Sequence, residues 1–241
     1  MSTYVIVHGA WHDGTLMAQV AAPIRAACHE VHAPTIAGNG KDANKDVGLE
    51  EAIASIADYI TQHDLRDIVL AGHSYGGFII TGIADRMLER IRRLVYWNAF
   101  VPYDGESLLS IAPAPMGGLF KSLADASDDN SVALPYPVWR DVFFNDGDEA
   151  GAKAAYAELS TQPYRTFADK ISLKGNPAAW EVGKSYINGL HDVAMPGSNS
   201  WHPGQSEKLG LFRLVQMWGG HETCFIDPQA TAEALMQAGS D

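Results

Sequence analysis

The chain has 241 residues, 46% of them hydrophobic, with 23 Gly and 12 Pro, which fits one large globular domain that can bury a full core and argues against disordered and fibrous classes. Seventeen Lys and Arg stand against 29 Asp and Glu, a formal net charge of -12, with no basic run of five or more, so phosphate backbones and anionic membrane surfaces are unfavourable partners. No stretch of 18 uninterrupted apolar residues offers a membrane span.

The opening MSTYVIVHGAW lacks a basic region followed by a long apolar one, so the cytoplasm is the expected compartment. Cys28 and Cys224 are isolated in sequence and read as reduced thiols rather than a disulfide framework. Tyr4 to Val7 is a short β-branched run stopping at His8-Gly9, a buried strand feeding a loop. Leu16, Val20 and Ile24 recur at helical spacing, with Pro23 expected to bend or shorten that helix. Val31 to Pro34 reads as a second strand and GNGKDANKD as a loop. Leu49, Ile53, Ile56, Ala57 and Ile60 mark one helix face, Ile68 to Ala71 a buried strand, and Phe78, Ile79, Ile83 and Met87 another helix. Leu94 to Trp97 is the next apolar run.

Strand alternating with helix predicts a mostly parallel central sheet with helices on both faces. The rhythm changes near Pro102. From there to about Trp180 the chain is rich in Pro, Gly, Asp and aromatic residues, with one short amphipathic helix over Glu149 to Leu159. Residues 103–182 are therefore expected to form an inserted cap, a poorly legible continuation of the core being the alternative. The strand pattern resumes in SYING at 185 to 189 and LVQMW at 214 to 218, and Pro228 to Ala238 reads as a final helix.

Gly72-His73-Ser74-Tyr75-Gly76 satisfies G-x-S-x-G, with a strand entering and an apolar helix leaving, the context a nucleophile elbow requires. Ser74 is the candidate nucleophile, raised above the sheet at a helix N-terminus where backbone amides face developing negative charge. The phosphate-binding lysine of a P-loop is absent. His8-Gly9-Ala10-Trp11 follows the first strand, and the Ala10 and Tyr75 amides are the candidate oxyanion donors. His8, His12 and His73 lack metal-ligand spacing and read as groups satisfying local polar atoms. In Trp218-Gly219-Gly220-His221-Glu222, His221 ends the last strand and is the candidate general base.

HGAW near the start, GHSYGG in the middle, HDVAMP after a late strand and GGH near the end, in this order over nearly the whole chain, resemble the α/β-hydrolase superfamily. The similarity is to the group holding plant hydroxynitrile lyases, plant methyl esterases and small bacterial esterases. The resemblance implies an α/β-hydrolase fold with an inserted cap shaping the substrate pocket, and no metal or organic cofactor. It also implies Asp192, four residues before Pro196 in HDVAMP, as the acid that orients His221; Glu222 and Asp227 lie too near His221 in sequence to arrive from another loop, His191 is no acid, and Asn98 carries no carboxylate. The lyases of this group place a threonine in the first oxyanion loop and a lysine after the catalytic histidine. This chain has Ala10 and Glu222 there, so ester hydrolysis is the better reading. Lyase or cofactor-free oxygen chemistry, and a small-ligand receptor on the same fold, stay open as alternatives. The expected partner is a small, neutral, aromatic or apolar substrate, with nucleic acid and membrane excluded and room left for a homodimer.

Overall fold

The computed structural model describes residues 1–240. Six strands make the main sheet: β1 (Thr3–Val7), β2 (Glu30–His32), β3 (Ile68–His73), β4 (Ile91–Trp97), β7 (Gly183–Gly189) and β8 (Arg213–Met217). Their order is β2-β1-β3-β4-β7-β8 and every pairing is parallel. Two further short strands, β5 (Ser131–Val132) and β6 (Gln162–Pro163), form a separate antiparallel ribbon. The chain order left the strand order unread; with β3 flanked by β1 and β4, the loops leaving five neighbouring strands, β1, β3, β4, β7 and β8, converge at one edge.

Alternation along each strand divides the apolar side chains between two cores, one per sheet face. Val5, Val7, Ile68, Leu70, Leu94, Tyr96 and Tyr186 belong to one, while Tyr4, Ile6, Val69, Ala71, Val95, Trp97 and Ile187 belong to the other. The first face is covered by α2 (Leu49–Gln62) and α3 (Gly76–Met87), the second by α1 (Ala18–Ala26) and the C-terminal helix Pro228–Gly239. Ile53, Ile56, Ile79, Ile80 and Ile83 are essentially dry, each stabilising the fold by roughly 2 kcal/mol of apolar burial.

Pro23 does not end α1, which runs on to Ala26. Its absent N–H would have served Gln19, in the first turn of a nine-residue helix, so little of the hydrogen-bond ladder is lost. The second strand stops at His32 rather than Pro34, and β8 stops at Met217, leaving Trp218 exposed.

Between β4 and β7 the chain forms an extra layer, with helices Leu108–Ile111, Ala114–Asp125, Glu149–Glu158 and Arg165–Ala168 and the β5–β6 ribbon. Only Glu149–Glu158 was legible in sequence. Ala114–Asp125 carries Gly117 and Gly118, which lower its helix propensity, yet Phe120 and Ala124 bury one face four residues apart. Trp11 bolts this layer to the sheet: its backbone amide donates to Gln162 Oε1 at 3.0 Å and its indole Nε1 to the Val132 carbonyl at 2.9 Å. Among the described residues no helix is long and apolar enough to cross a membrane, and Cys28 and Cys224 are unpaired.

Candidate active site

Ser74 stands at the turn between β3 and α3 with φ of +53°, a left-handed conformation that a serine adopts only where its surroundings impose it. The surroundings do so through close backbone approach. A Cβ on Gly76 would meet the Val7 carbonyl oxygen at 2.7 Å, and one on Gly77 would collide with the Phe100 carbonyl oxygen. The turn is tied down by Ser74 N donating to Trp97 O at 3.1 Å and by Gly77 N and Phe100 N both donating to Ser74 O, at 3.0 and 3.2 Å.

The loop after β1 passes over this turn. His8 accepts from the Ile36 amide through Nε2 at 3.0 Å, so its proton lies on Nδ1, 2.8 Å from the Gly9 carbonyl. Burial, only partly opposed by that bond, lowers its pKa to about 4 and keeps the ring neutral. Ala10 and Tyr75 line the same pocket as Ser74. Among the described residues neither of their amides donates to a protein acceptor.

His221 follows β8 and Asp192 follows β7. Asp192 Oδ2 lies 2.6 Å from His221 Nδ1, both side chains being essentially inaccessible, and Asp192 Oδ1 accepts from the Ala194 amide at 2.9 Å. Burial works against a charged His221, but the neighbouring Asp192 charge and hydrogen bond, with Glu222 adding to them, lift its pKa above that of a free imidazole. The ring is held between Trp201, stacked at 5.4 Å and 19°, Phe143 at 5.3 Å and His73 at 4.7 Å. His73 donates through Nε2 to the His221 carbonyl at 3.0 Å and is pushed well below the ordinary histidine range, first by burial and then by the neighbouring His221.

Segments distant in sequence hold these two loops. Asp146 Oδ2 accepts from the Gly220 amide at 2.6 Å, Asn145 Nδ2 donates to the His191 carbonyl at 3.0 Å, and Asn98 takes the Gly189 amide at 2.7 Å. The His191 amide donates to Gly219 O at 3.0 Å, joining the two loops directly.

Ser74 opens into a pocket with about 330 Å³ of empty space counting its mouth. Its other walls are apolar, chiefly Trp11, Phe120, Phe143, Phe167, Met195 and Trp201. Phe143 and Trp201 line the pocket and also flank the His221 ring.

The structure thus brings Ser74, Ala10 and Tyr75 to one pocket and joins His221 to Asp192 behind two of its wall residues, Phe143 and Trp201. Among the large apolar side chains of the first loop and the midsection, Trp11, Phe120 and Phe143 line it. Trp139 and Phe144 are buried away from it, Leu119 is half-buried beside the core, and Trp97 belongs to the opposite sheet face. Neither Glu222 nor Asp227 takes Asp192's place as hydrogen-bond partner of His221: Glu222 faces His12, and Asp227 caps the C-terminal helix through Ala230 N at 2.9 Å. Sequence reasoning missed Trp201, Phe167, Asn145 and Asp146. An aromatic residue in irregular chain gives no periodic signal, and exposed acids such as Asp146 are common in turns.

The chain belongs to the alpha/beta hydrolase family, whose model matches residues 4–234. An extracellular alpha/beta-hydrolase from a Paenibacillus species, described as sharing structural and functional homology with tobacco salicylic acid binding protein 2, superposes with a TM-score of 0.96. It is 37% identical, with 100% of both chains covered. A carbendazim hydrolyzing esterase from Nocardioides sp. is 46% identical over 116 residues, which is 47% of this chain and 48% of that protein, so the match spans about half the length of each. A pyrethroid hydrolase from Sphingobium wenxiniae is 24% identical over 249 residues, covering 96% of this chain and 85% of the relative.

Proposed function

We propose that this protein is a serine carboxylesterase that hydrolyses small, neutral, aromatic or apolar esters through an acyl-enzyme. The observation that carries the reading is a strained, pocket-facing Ser74 together with a buried His221–Asp192 pair, joined at 2.6 Å, whose imidazole packs against two wall residues of the same pocket, Phe143 and Trp201. His221 takes the Ser74 proton as Oγ attacks the ester carbonyl, and the Ala10 and Tyr75 amides receive the oxyanion. The imidazolium then protonates the departing alcohol, after which water, deprotonated by His221, releases the acid from Ser74. Asp192 fixes the proton of neutral His221 on Nδ1, leaving Nε2 as the base, and stabilises the imidazolium.

The layer between β4 and β7 acts in this reading as a cap. Its Phe120, Phe143 and Phe167 give the pocket its apolar character and favour substrates without charge. The esterase and hydrolase names of the relatives agree with this chemistry. A buried carboxylate on Glu222 beside His221 speaks against the lyase alternative, since a departing cyanide would want a cation there.

Turnover of a panel of short p-nitrophenyl and methyl esters tests the proposal. The wild type should show an optimum at small apolar or aromatic acyl groups, and Ser74→Ala should abolish turnover with its melting temperature preserved. Undiminished hydrolysis by Ser74→Ala would overturn it, and an optimum at long-chain lipids with interfacial activation would overturn the substrate class.

A further inference from the structure

A second buried acid–imidazole pair lies beside His221 and has no part in the steps above. The Glu222 side chain is 4% exposed and its Oε2 lies 3.3 Å from Nε2 of His12, itself 1% exposed. Both His12 nitrogens lack a well-aligned hydrogen-bond partner, and His12 is the polar ring set against the Glu222 carboxylate. Among the described residues no backbone amide reaches the Glu222 carboxylate; the Cys224 thiol, 3.5 Å away, is its other polar contact. A buried acid with so few hydrogen bonds is costly to keep ionised unless positive charge faces it.

The three imidazoles form a row. His12 stacks on His73 at 5.9 Å and 6°, and His73 lies 4.7 Å from His221. A carboxylate closes each end, Glu222 on His12 and Asp192 on His221. Because Glu222 also follows His221 in the chain, its charge lies on the His221 loop while His12 lies beyond the His73 ring.

We propose that Glu222 is a second acid acting on His221: held by His12, its buried carboxylate works through space together with Asp192 to stabilise the imidazolium that forms as Ser74 attacks. The inference rests on the reading of His221 as general base. The titratable groups facing His221 are Asp192 from the loop after β7, His73 from the end of β3 and Glu222 on its own loop. Those facing Glu222 are His12 from the loop after β1, His73, His221 and Cys224, and His8 in turn feels His12. Burial disfavours the Glu222 charge, yet His12, His73 and His221 hold its carboxyl below the ordinary range. Glu222 is a positioning residue in this scheme, with a smaller influence on His221 than Asp192 has.

The test compares wild type, Glu222→Gln, Glu222→Asp and Asp192→Asn by two readouts. One is the pH profile of kcat/KM on a p-nitrophenyl ester, and the other is the NMR titration of the His221 ring in 13C-histidine-labelled protein. Removing the Glu222 charge destabilises the imidazolium. In Glu222→Gln both the acid limb and the ring titration should therefore move to lower pH, by less than in Asp192→Asn. Plateau kcat should fall roughly ten-fold, equivalent to about 1.4 kcal/mol in activation free energy. Glu222→Asp, which keeps the charge, should leave the limb near the wild-type position. Glu222→Met, similar in volume and without charge, replaces the glutamine variant if that one does not fold. A titration and limb unmoved by removal of the charge would overturn the inference. Turnover surviving in Ser74→Ala would instead overturn the esterase reading, while the NMR titration would still decide whether Glu222 acts on His221.

Discussion

Ser74 lines the pocket and His221 packs against two of its wall residues, but the two are held in different ways. The serine turn is made by its own motif and by the two strands beside it: glycines at 76 and 77 let the Val7 and Phe100 carbonyls come close, and three backbone hydrogen bonds fix the rest. The histidine loop borrows its geometry from afar, from Asp146 in the inserted layer, from Asn98 after β4 and from the Asp192 loop after β7. The difference teaches that the position of Ser74, the proposed nucleophile, is a property of the sheet, whereas that of His221, the proposed base, depends on the packing of the whole edge. Damage to the backbone of the serine turn should appear as lost stability, and damage to the contacts of the histidine loop as lost turnover in a protein that still folds.

Asp192→Asn probes the borrowed half most severely. Its kcat should fall on the order of 10³ to 10⁴-fold, measured alongside a thermal melt showing a folded chain. A near-normal rate would remove Asp192 from the site without touching Ser74. The same pair gives a pH signature. His221 must be neutral to accept a proton, and Asp192 raises the pH at which it becomes so. The acid limb of kcat/KM should therefore lie above the free-imidazole value of about 6.5, with activity lost as pH falls through it.

Asp146→Ala breaks only the bond from the inserted layer to the Gly220 amide. A roughly ten-fold fall in kcat is expected from the looser general base, with the urea midpoint close to wild type. An equal loss of stability and rate would mean that the layer supports the fold rather than the base.

Gly77→Ala tests the other half, because the new methyl has the Phe100 carbonyl oxygen in its way and backbone on both sides must move. A loss of about 2 kcal/mol in urea unfolding is expected, with any fall in rate following from displacement of Ser74. Asp227→Asn should do least: it weakens the cap of the C-terminal helix, costing up to about 1 kcal/mol, and leaves kcat unchanged.

The same contrast explains what could be read from the chain alone. Strands such as Ile68–His73 and helices such as Leu49–Gln62 announce themselves because their apolar positions repeat with a local period. The G-x-S-x-G turn is equally local, and Ser74, Ala10 and Tyr75 could be named from it and from the first loop. The bond between Asp192 and His221 spans 29 residues and that between Asp146 and Gly220 spans 74, separations at which no periodic pattern operates. Asp192 was reachable only through resemblance to a family motif, and Asp146 not at all. The layer between β4 and β7 was obscure for a related reason. Its helices are short, and Trp11, distant in sequence from most of it, supplies an anchor through Gln162 and the Val132 carbonyl. Trp11 and its partners Phe120, Phe143 and Phe167, at ring distances of 5.5 to 5.6 Å, form a cluster that only the tertiary fold assembles.

The claim on which the rest depends is that Ser74 becomes covalently acylated. Intact-protein and peptide mass spectrometry after treatment with a serine-directed alkyl phosphonate tests it directly, with wild type, Ser74→Ala and Asp192→Asn compared on one time course. The account predicts one phosphonyl group per wild-type chain, located on the peptide bearing Ser74, in step with loss of esterase activity, together with slow labelling of Asp192→Asn and none of Ser74→Ala. Labelling at another residue, or ester turnover that persists after Ser74 is fully modified, would contradict it.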